Sequence, residues 1–256
     1  MCDNPQVNIT MLKNLGAEFS VSSPKPTLTI SNVLGRPILA YLDPPHCIKL
    51  TRNTIGDFGI LIDGSGNKIK WEYVVKLHEL QKREGFHLGN KLKEEHIEFT
   101  KNKMKVRLAT QVLSRSVAKS LLVCQDMKMP DFEEAHPTAD FLSCFDTIFD
   151  IMNSKLPNAL GLKAPISTKN VENTNAQLEK FKRYILGLKH GSGVSVFDGR
   201  RKAAFFGWIN DIECIRLMYK FYLQPGILKY LLTFKLLQDM LECELCNPNP
   251  KYEVFS

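Results

Sequence analysis

Three acidic residues stand where a carboxylate has chemistry to do. Asp43 closes the apolar run Ile38–Leu42 and is followed at once by Pro44, Pro45 and His46, so an acid sits at the tip of an extended segment that two prolines end. Asp239 and Glu242 lie in ILKYLLTFKLLQDMLE, three residues apart and on one face if the segment is helical. That segment is apolar nearly all round, which marks a buried helix, and a buried carboxylate must be paired, hydrogen-bonded or bound to metal. On spacing alone, a solvated helix end accounts for Asp239 and Glu242, and a cap or turn accounts for Asp43. A strand-tip Asp and a helix-borne Glu meeting at one point is nevertheless the donor set that holds divalent metals for in-line displacement at a phosphodiester.

A second polar group interrupts TADFLSCFDTIFDIMNSK. Asp146, Asp150 and Asn153 recur at i, i+4 and i+7, opposite an apolar stripe, with Phe149 beside them. A solvated helix face explains such a stripe, and Phe149 is equally at home in a core. No GxxxxGK[ST] occurs, so a P-loop is excluded, and the GSG triplets at 64–66 and 191–193 read as turns. The CELC pair, Cys243 and Cys246, has no second pair to complete a zinc site.

These residues need a scaffold. The 256 residues are 44% hydrophobic and 24% charged, as in an ordinary globular protein, and the net charge of +7 favours an anionic partner. Seven scattered cysteines without a secretory leader suit a reducing compartment, and no run reaches a membrane span. The first thirty-odd residues read as loop and short strand leading to Asp43, and a basic amphipathic helix follows from about His46 to Ile55. A turn at 63–68 precedes a helix ending at Gly85. One helix is expected over 103–124, with apolar residues at 106, 109, 113, 117 and 121 and Lys101, Lys103, Lys105, Arg107, Arg115 and Lys119 around them, a set that suits phosphate tracking or a solvated face. Further helices are expected in the 138–155 segment, over about 175–188, across AAFFGWINDIECIRLMYKFYL, and from Ile227 onward. The layout is α+β and predominantly α-helical: strand-bearing residues 1–56, an inserted helical domain over 57–225, and a terminal helix in 226–256.

The motifs DPPHCIKLTRN, HLGNKLKEEHI, KMKVRLATQVLSRSVA, FDIMNS and LLTFKLLQDMLE, in that order from 43 to 242, resemble the P element family of DNA transposases. The resemblance implies a split RNase H-like fold of the DDE/D type interrupted by an all-helical GTP-binding insertion domain. It implies that Asp43 and Glu242 are catalytic Mg2+ ligands, with Asp239 an accessory acid beside metal and nucleotide. It implies a guanine site at Phe149, Asp150 and Asn153, with Lys91 and Val106 nearby and Ser114 and Ser116 as further contacts. An aromatic face and a carboxylate able to accept guanine N1–H and N2–H suit that role. GTP and Mg2+ are the implied cofactors, transposon-end DNA and a homo-oligomer or full-length transposase the implied partners, and the nucleus the implied location.

The chain departs from the family pattern. The family's first catalytic Asp belongs upstream of DPPH, where only Asp3 and Glu18 are available, and QDMLE carries Met240 where His is usual. The expectation is a transposase truncated at both ends, binding GTP and DNA but catalytically incomplete. The alternatives are a non-catalytic, repressor-type helical module and a decayed relic.

Overall fold

The computed structural model describes residues 5–33, 36–85, 88, 90–199 and 201–237. The N-terminal segment, expected as loop, carries a helix, α1 (Pro5–Asn14). Strands β1 (Thr27–Val33) and β2 (Arg36–Leu39) then pair antiparallel, with Leu28 opposite Ile38. The strand expected to run to Asp43 stops at Leu39; its last link is the Ala40 N–H donating to Pro26 C=O at 2.7 Å.

Asp43 is therefore a helix cap rather than a strand tip. Its side chain accepts from His46 N at 3.1 Å at the start of α2 (Pro44–Phe58), whose first turn takes both prolines where no N–H is needed. The helix is not a basic amphipathic surface element, as its sequence suggests, but a buried strut. Ile48, Thr51, Arg52, Thr54 and Ile55 are all at most 2% exposed. The Arg52 guanidinium survives there because Nε donates to Asn53 Oδ1 at 2.8 Å and Nη2 to Asn102 C=O at 3.0 Å, over the Phe99 ring. Burial pulls its pKa down to about 10, with Asp57 opposing, so it stays charged at neutral pH.

The insert is not all-helical. Strands β3 (Ile60–Ile62) and β4 (Lys68–Lys70) form a hairpin whose turn is closed by Asp63, accepting from Ser65 N and Asn67 N at 2.8 Å each. Three-residue strands leave too little alternation to detect in sequence. A short strand far along the chain, β5 (Lys189–His190), pairs with the free side of β3, giving the order β4–β3–β5. Both GSG triplets fall in turns, with Gly66 N donating to Asp63 C=O and Gly193 N to His190 C=O.

The helical body follows: α3 (Glu72–Glu84), ending on Gly85 at φ 71°, α4 (Glu94–Ile97), α5 (Val106–Val112), α6 (Arg115–Asp126), α7 (His136–Met152), α8 (Val171–Leu186) and α9 (Lys202–Met218). The expected single helix over 103–124 is two. Leu113 and Ser114 leave helical geometry, and the Ser114 hydroxyl caps α6 by accepting from Val117 N. The apolar stripe hides this break because both pieces bury the same side. Helix α7 is the centre of the body, with Phe145 packed on Phe141 of the same helix at 4.7 Å, on Phe181 of α8 at 5.2 Å and on Trp208 of α9 at 6.1 Å between ring centres. Helix α9 crosses α2 closely: a Cβ on Gly207 would stand 2.4 Å from Cys47 Sγ, and Trp208 Nε1 donates to Thr51 Oγ1 at 3.1 Å.

The terminal helix expected from Ile227 is absent over 227–237. Leu231 pairs with Ile166 in an isolated bridge, and a 3-10 turn spans Thr233–Leu236. Buried Thr233 donates to Ile151 C=O at 2.7 Å and accepts from Ser154 N at 2.9 Å, so this segment closes the end of α7. Of its apolar residues, Leu231 and Leu237 are buried, whereas Ile227, Leu228 and Tyr230 are exposed. Asp239, Glu242, Cys243 and Cys246 lie outside the described residues.

Candidate nucleotide site and the Asp43 edge

Helical spacing places Asp146, Phe149, Asp150 and Asn153 on one side of α7, facing the start of α6 and the loop before α8. Arg115, the first residue of α6, reaches across: Nε lies 3.3 Å from Asp146 Oδ2 and Nη2 donates to Thr147 Oγ1 at 3.0 Å. Lys163, in the 3-10 turn Gly161–Lys163, sits 3.6 Å from Asp150 Oδ1. Two acids one turn apart thus each carry a cation supplied by another element. Burial raises both carboxyls above the ordinary range; Asp150 adds to the rise at Asp146, and Arg115 and Lys163 oppose it.

Phe149 is half-buried and packs against the core. Asn153 Oδ1 is shut off from solvent without a hydrogen-bond partner, which is unusual for a native polar atom. Ser114 and Ser116, bonded to each other at 3.0 Å, flank Arg115. Lys91 is exposed and next to Asn90, whose Nδ2 donates to Ser120 Oγ of α6 at 3.0 Å; Val106 opens α5, half-buried against the core. The structure thus gathers Phe149, Asp150 and Asn153 on one face. It ties the neighbour of Lys91 to α6 and places Val106 on a separate helix. Arg115 and Lys163 were not legible as partners, since nothing local in the sequence links them to α7. Three of the six cations around the 103–124 segment are committed to acids: Lys101 pairs with Glu98, Lys103 with Asp57 and Arg115 with Asp146.

Asp43, 9% exposed, lies beside α9. Leu42 N donates to Asp211 Oδ1 at 2.7 Å, and Asn210 Nδ2 donates to Ala40 C=O at 2.7 Å. Burial pushes the Asp211 carboxyl well up, its hydrogen bonds from Leu42 and Asn210 oppose that, and Asp43 adds to the rise. Among the described residues, no group of three or more His, Cys, Asp or Glu side chains converges to hold a metal. Asp43 is a hard oxygen donor of the right kind for Mg2+, and the described residues supply it as one ligand rather than as a set.

This architecture and these motifs have counterparts. The family model "TNP-like, GTP-binding insertion domain" matches residues 45–165, which include the whole α7 face. The Drosophila P element transposase strand transfer complex shares the fold, with a TM-score of 0.76 and 27% identity, covering 92% of this chain and 51% of that one. The chain is P element transposase-like. Transposable element P transposase of Drosophila melanogaster is 30% identical over 217 residues, covering 80% of this chain. DNA transposase THAP9 of Homo sapiens is 28% identical over 241 residues, covering 92% of it. The chain spans 26% of the length of each of these two relatives. The α+β, mostly helical architecture expected from the sequence is the one found.

Proposed function

We propose that this chain is the nucleotide-binding part of a P element-type transposase, holding GTP on the α6–α7 face and presenting Asp43 to the centre where DNA strands are cut and joined. The observation that carries the nucleotide reading is the α7 face itself. A half-buried aromatic ring, a half-buried carboxylate and a buried amide oxygen without a partner stand together inside the region matched by the GTP-binding insertion model. Phe149 stacks on the base, Asp150 accepts from guanine N1–H and N2–H, and Asn153 satisfies its idle amide on the base edge. Adenine offers a lone pair at N1 and no 2-amino group, so the same carboxylate rejects it. Lys163 must leave Asp150 as the base arrives, and with Arg115 it is then free to face phosphates. Lys91, Val106 and Asp239 complete the proposed set.

Mg2+, when bound by Asp43 and Glu242 with a further acid, would activate the attacking oxygen and stabilise the leaving one. The solved relative is a strand transfer complex, and by that analogy DNA is the proposed partner, the nucleus the proposed location, and a larger transposase assembly the proposed setting. The deciding experiment is calorimetric titration with GTP, and with ATP as control, in Mg2+. Saturable, GTP-selective binding that Asp150→Ala abolishes supports the reading. A folded chain that ignores GTP removes it. Mg2+-dependent DNA cleavage is not expected from the chain alone, and cleavage lost in Glu242→Ala would overturn that expectation.

A further inference from the structure

Helix α9 carries a polar pair in an otherwise apolar run, GWINDIECI, and both members are buried: Asn210 is 1% exposed and Asp211 0%. A core helix has no packing reason to hold an amide and a carboxyl side by side. Each keeps one oxygen without a partner, Asn210 Oδ1 and Asp211 Oδ2, at a cost that apolar side chains would not incur. Besides the Asn210 Nδ2 contacts within α9, to Asp211 Oδ1 at 3.3 Å and Cys214 Sγ at 3.8 Å, what the pair makes is directed at one short stretch of backbone. Asp211 Oδ1 takes the Leu42 N–H at 2.7 Å, Asn210 Nδ2 gives to the Ala40 C=O at 2.7 Å, and Cys214 Sγ, one turn on, gives to the same carbonyl at 3.3 Å.

Apart from the Ala40 N–H bond to Pro26 C=O, that stretch is held by α9 side chains: β2 ends at Leu39, Ala40–Leu42 run from sheet to helix outside any strand, and the next residue is Asp43. Three side chains of α9 take the place of the missing strand, from 169 to 174 residues away in the chain. Gly207 and Trp208, in the preceding turn of α9, lock the same helix onto α2, which Asp43 caps. We infer that Asn210 and Asp211 are positioning residues for Asp43, fixing the backbone from which its carboxylate is presented. The word positioning rests on the proposal that Asp43 binds metal; the clamp on the backbone does not.

The test is residue-resolved amide hydrogen exchange on the whole chain, comparing wild type, Asp211→Leu and Asp211→Asn. Leucine fills the space and cannot accept from Leu42 N; asparagine keeps an acceptor. Exchange at the Leu42 and His46 amides should rise at least about tenfold in Asp211→Leu beyond any change at Phe145 in the α7 core, and return in Asp211→Asn. A rise shared equally by Phe145, unchanged protection at Leu42, or failure of Asp211→Asn to restore it would each overturn the inference. Should Asp211→Leu not fold, Asn210→Val removes the amide donor to the Ala40 carbonyl and leaves it only Cys214 Sγ, and unchanged exchange at the Leu42 amide is equally fatal. Mn2+ added to the same samples reads the metal proposal separately, as line broadening at His46. Broadening that weakens in Asp211→Leu supports positioning, and broadening indifferent to it reduces the clamp to architecture. No broadening in wild type removes the metal reading of Asp43 and, with it, the positioning role.

Discussion

Replacing Asp150 by Ala separates a binding role from a structural one, because the structure gives opposite expectations for the two. The carboxylate is half-buried and its only described ion pair is with Lys163, at 3.6 Å, whose side chain is 66% exposed. A pair of that kind contributes about 0–1 kcal/mol, and burial already holds the carboxyl in an unfavourable charged state. Removing it should therefore leave thermal unfolding nearly unchanged, or raise stability slightly. Binding is another matter. Two hydrogen bonds from guanine to an ionised acceptor, in a partly desolvated site, are worth about 2–4 kcal/mol together. At about 1.4 kcal/mol per decade that is roughly a 30- to 700-fold weaker Kd. Calorimetry of GTP binding, with unfolding curves on the same preparations, reads both quantities. If Asp150→Ala bound GTP within about twofold of wild type, guanine recognition would not pass through α7 and the nucleotide site would have to be sought elsewhere.

Further outcomes follow from the same geometry. Acidification should weaken GTP binding, since binding uses the Asp150 carboxylate: affinity is full above its raised folded pKa and falls as pH drops through it, starting above the ordinary carboxylate range. Folding stability should move the other way, gaining as Asp146 and Asp150 take up protons that the unfolded chain binds less readily; denaturant titrations across acidic pH check the sign. Gly207→Ala puts a methyl 2.4 Å from Cys47 Sγ, and overpacking of about 1–3 kcal/mol should lower Tm by several degrees in differential scanning calorimetry. Thr233→Val strips the buried Ser154 N–H and Ile151 C=O of their partner, costing about 1–3 kcal/mol by urea unfolding.

The sequence determined what is settled within a few residues of itself. Asp43 followed by two prolines is a helix start by local chemistry alone, and the capped α2 sits there. Gly85 ends α3, Asp63 and Gly66 make a turn, and the i, i+4, i+7 spacing puts Asp146, Asp150 and Asn153 on one face of α7. Everything that depends on which distant segment lies opposite was decided by the tertiary structure. Arg52 reads as a wet residue of a basic helix until Asn102 and Phe99 cover it. Residues 227–237 have the composition of a buried helix, yet the polar groups at the end of α7 and the backbone of Ile166 bind them in another shape. The Asp150 carboxylate acquires its partner from a loop, and Asp43 acquires its support from α9 across 169 residues of chain. Helical periodicity and caps are written in neighbours along the chain, whereas hydrogen-bond satisfaction of buried groups is a matter of neighbours in space, and no local pattern carries it.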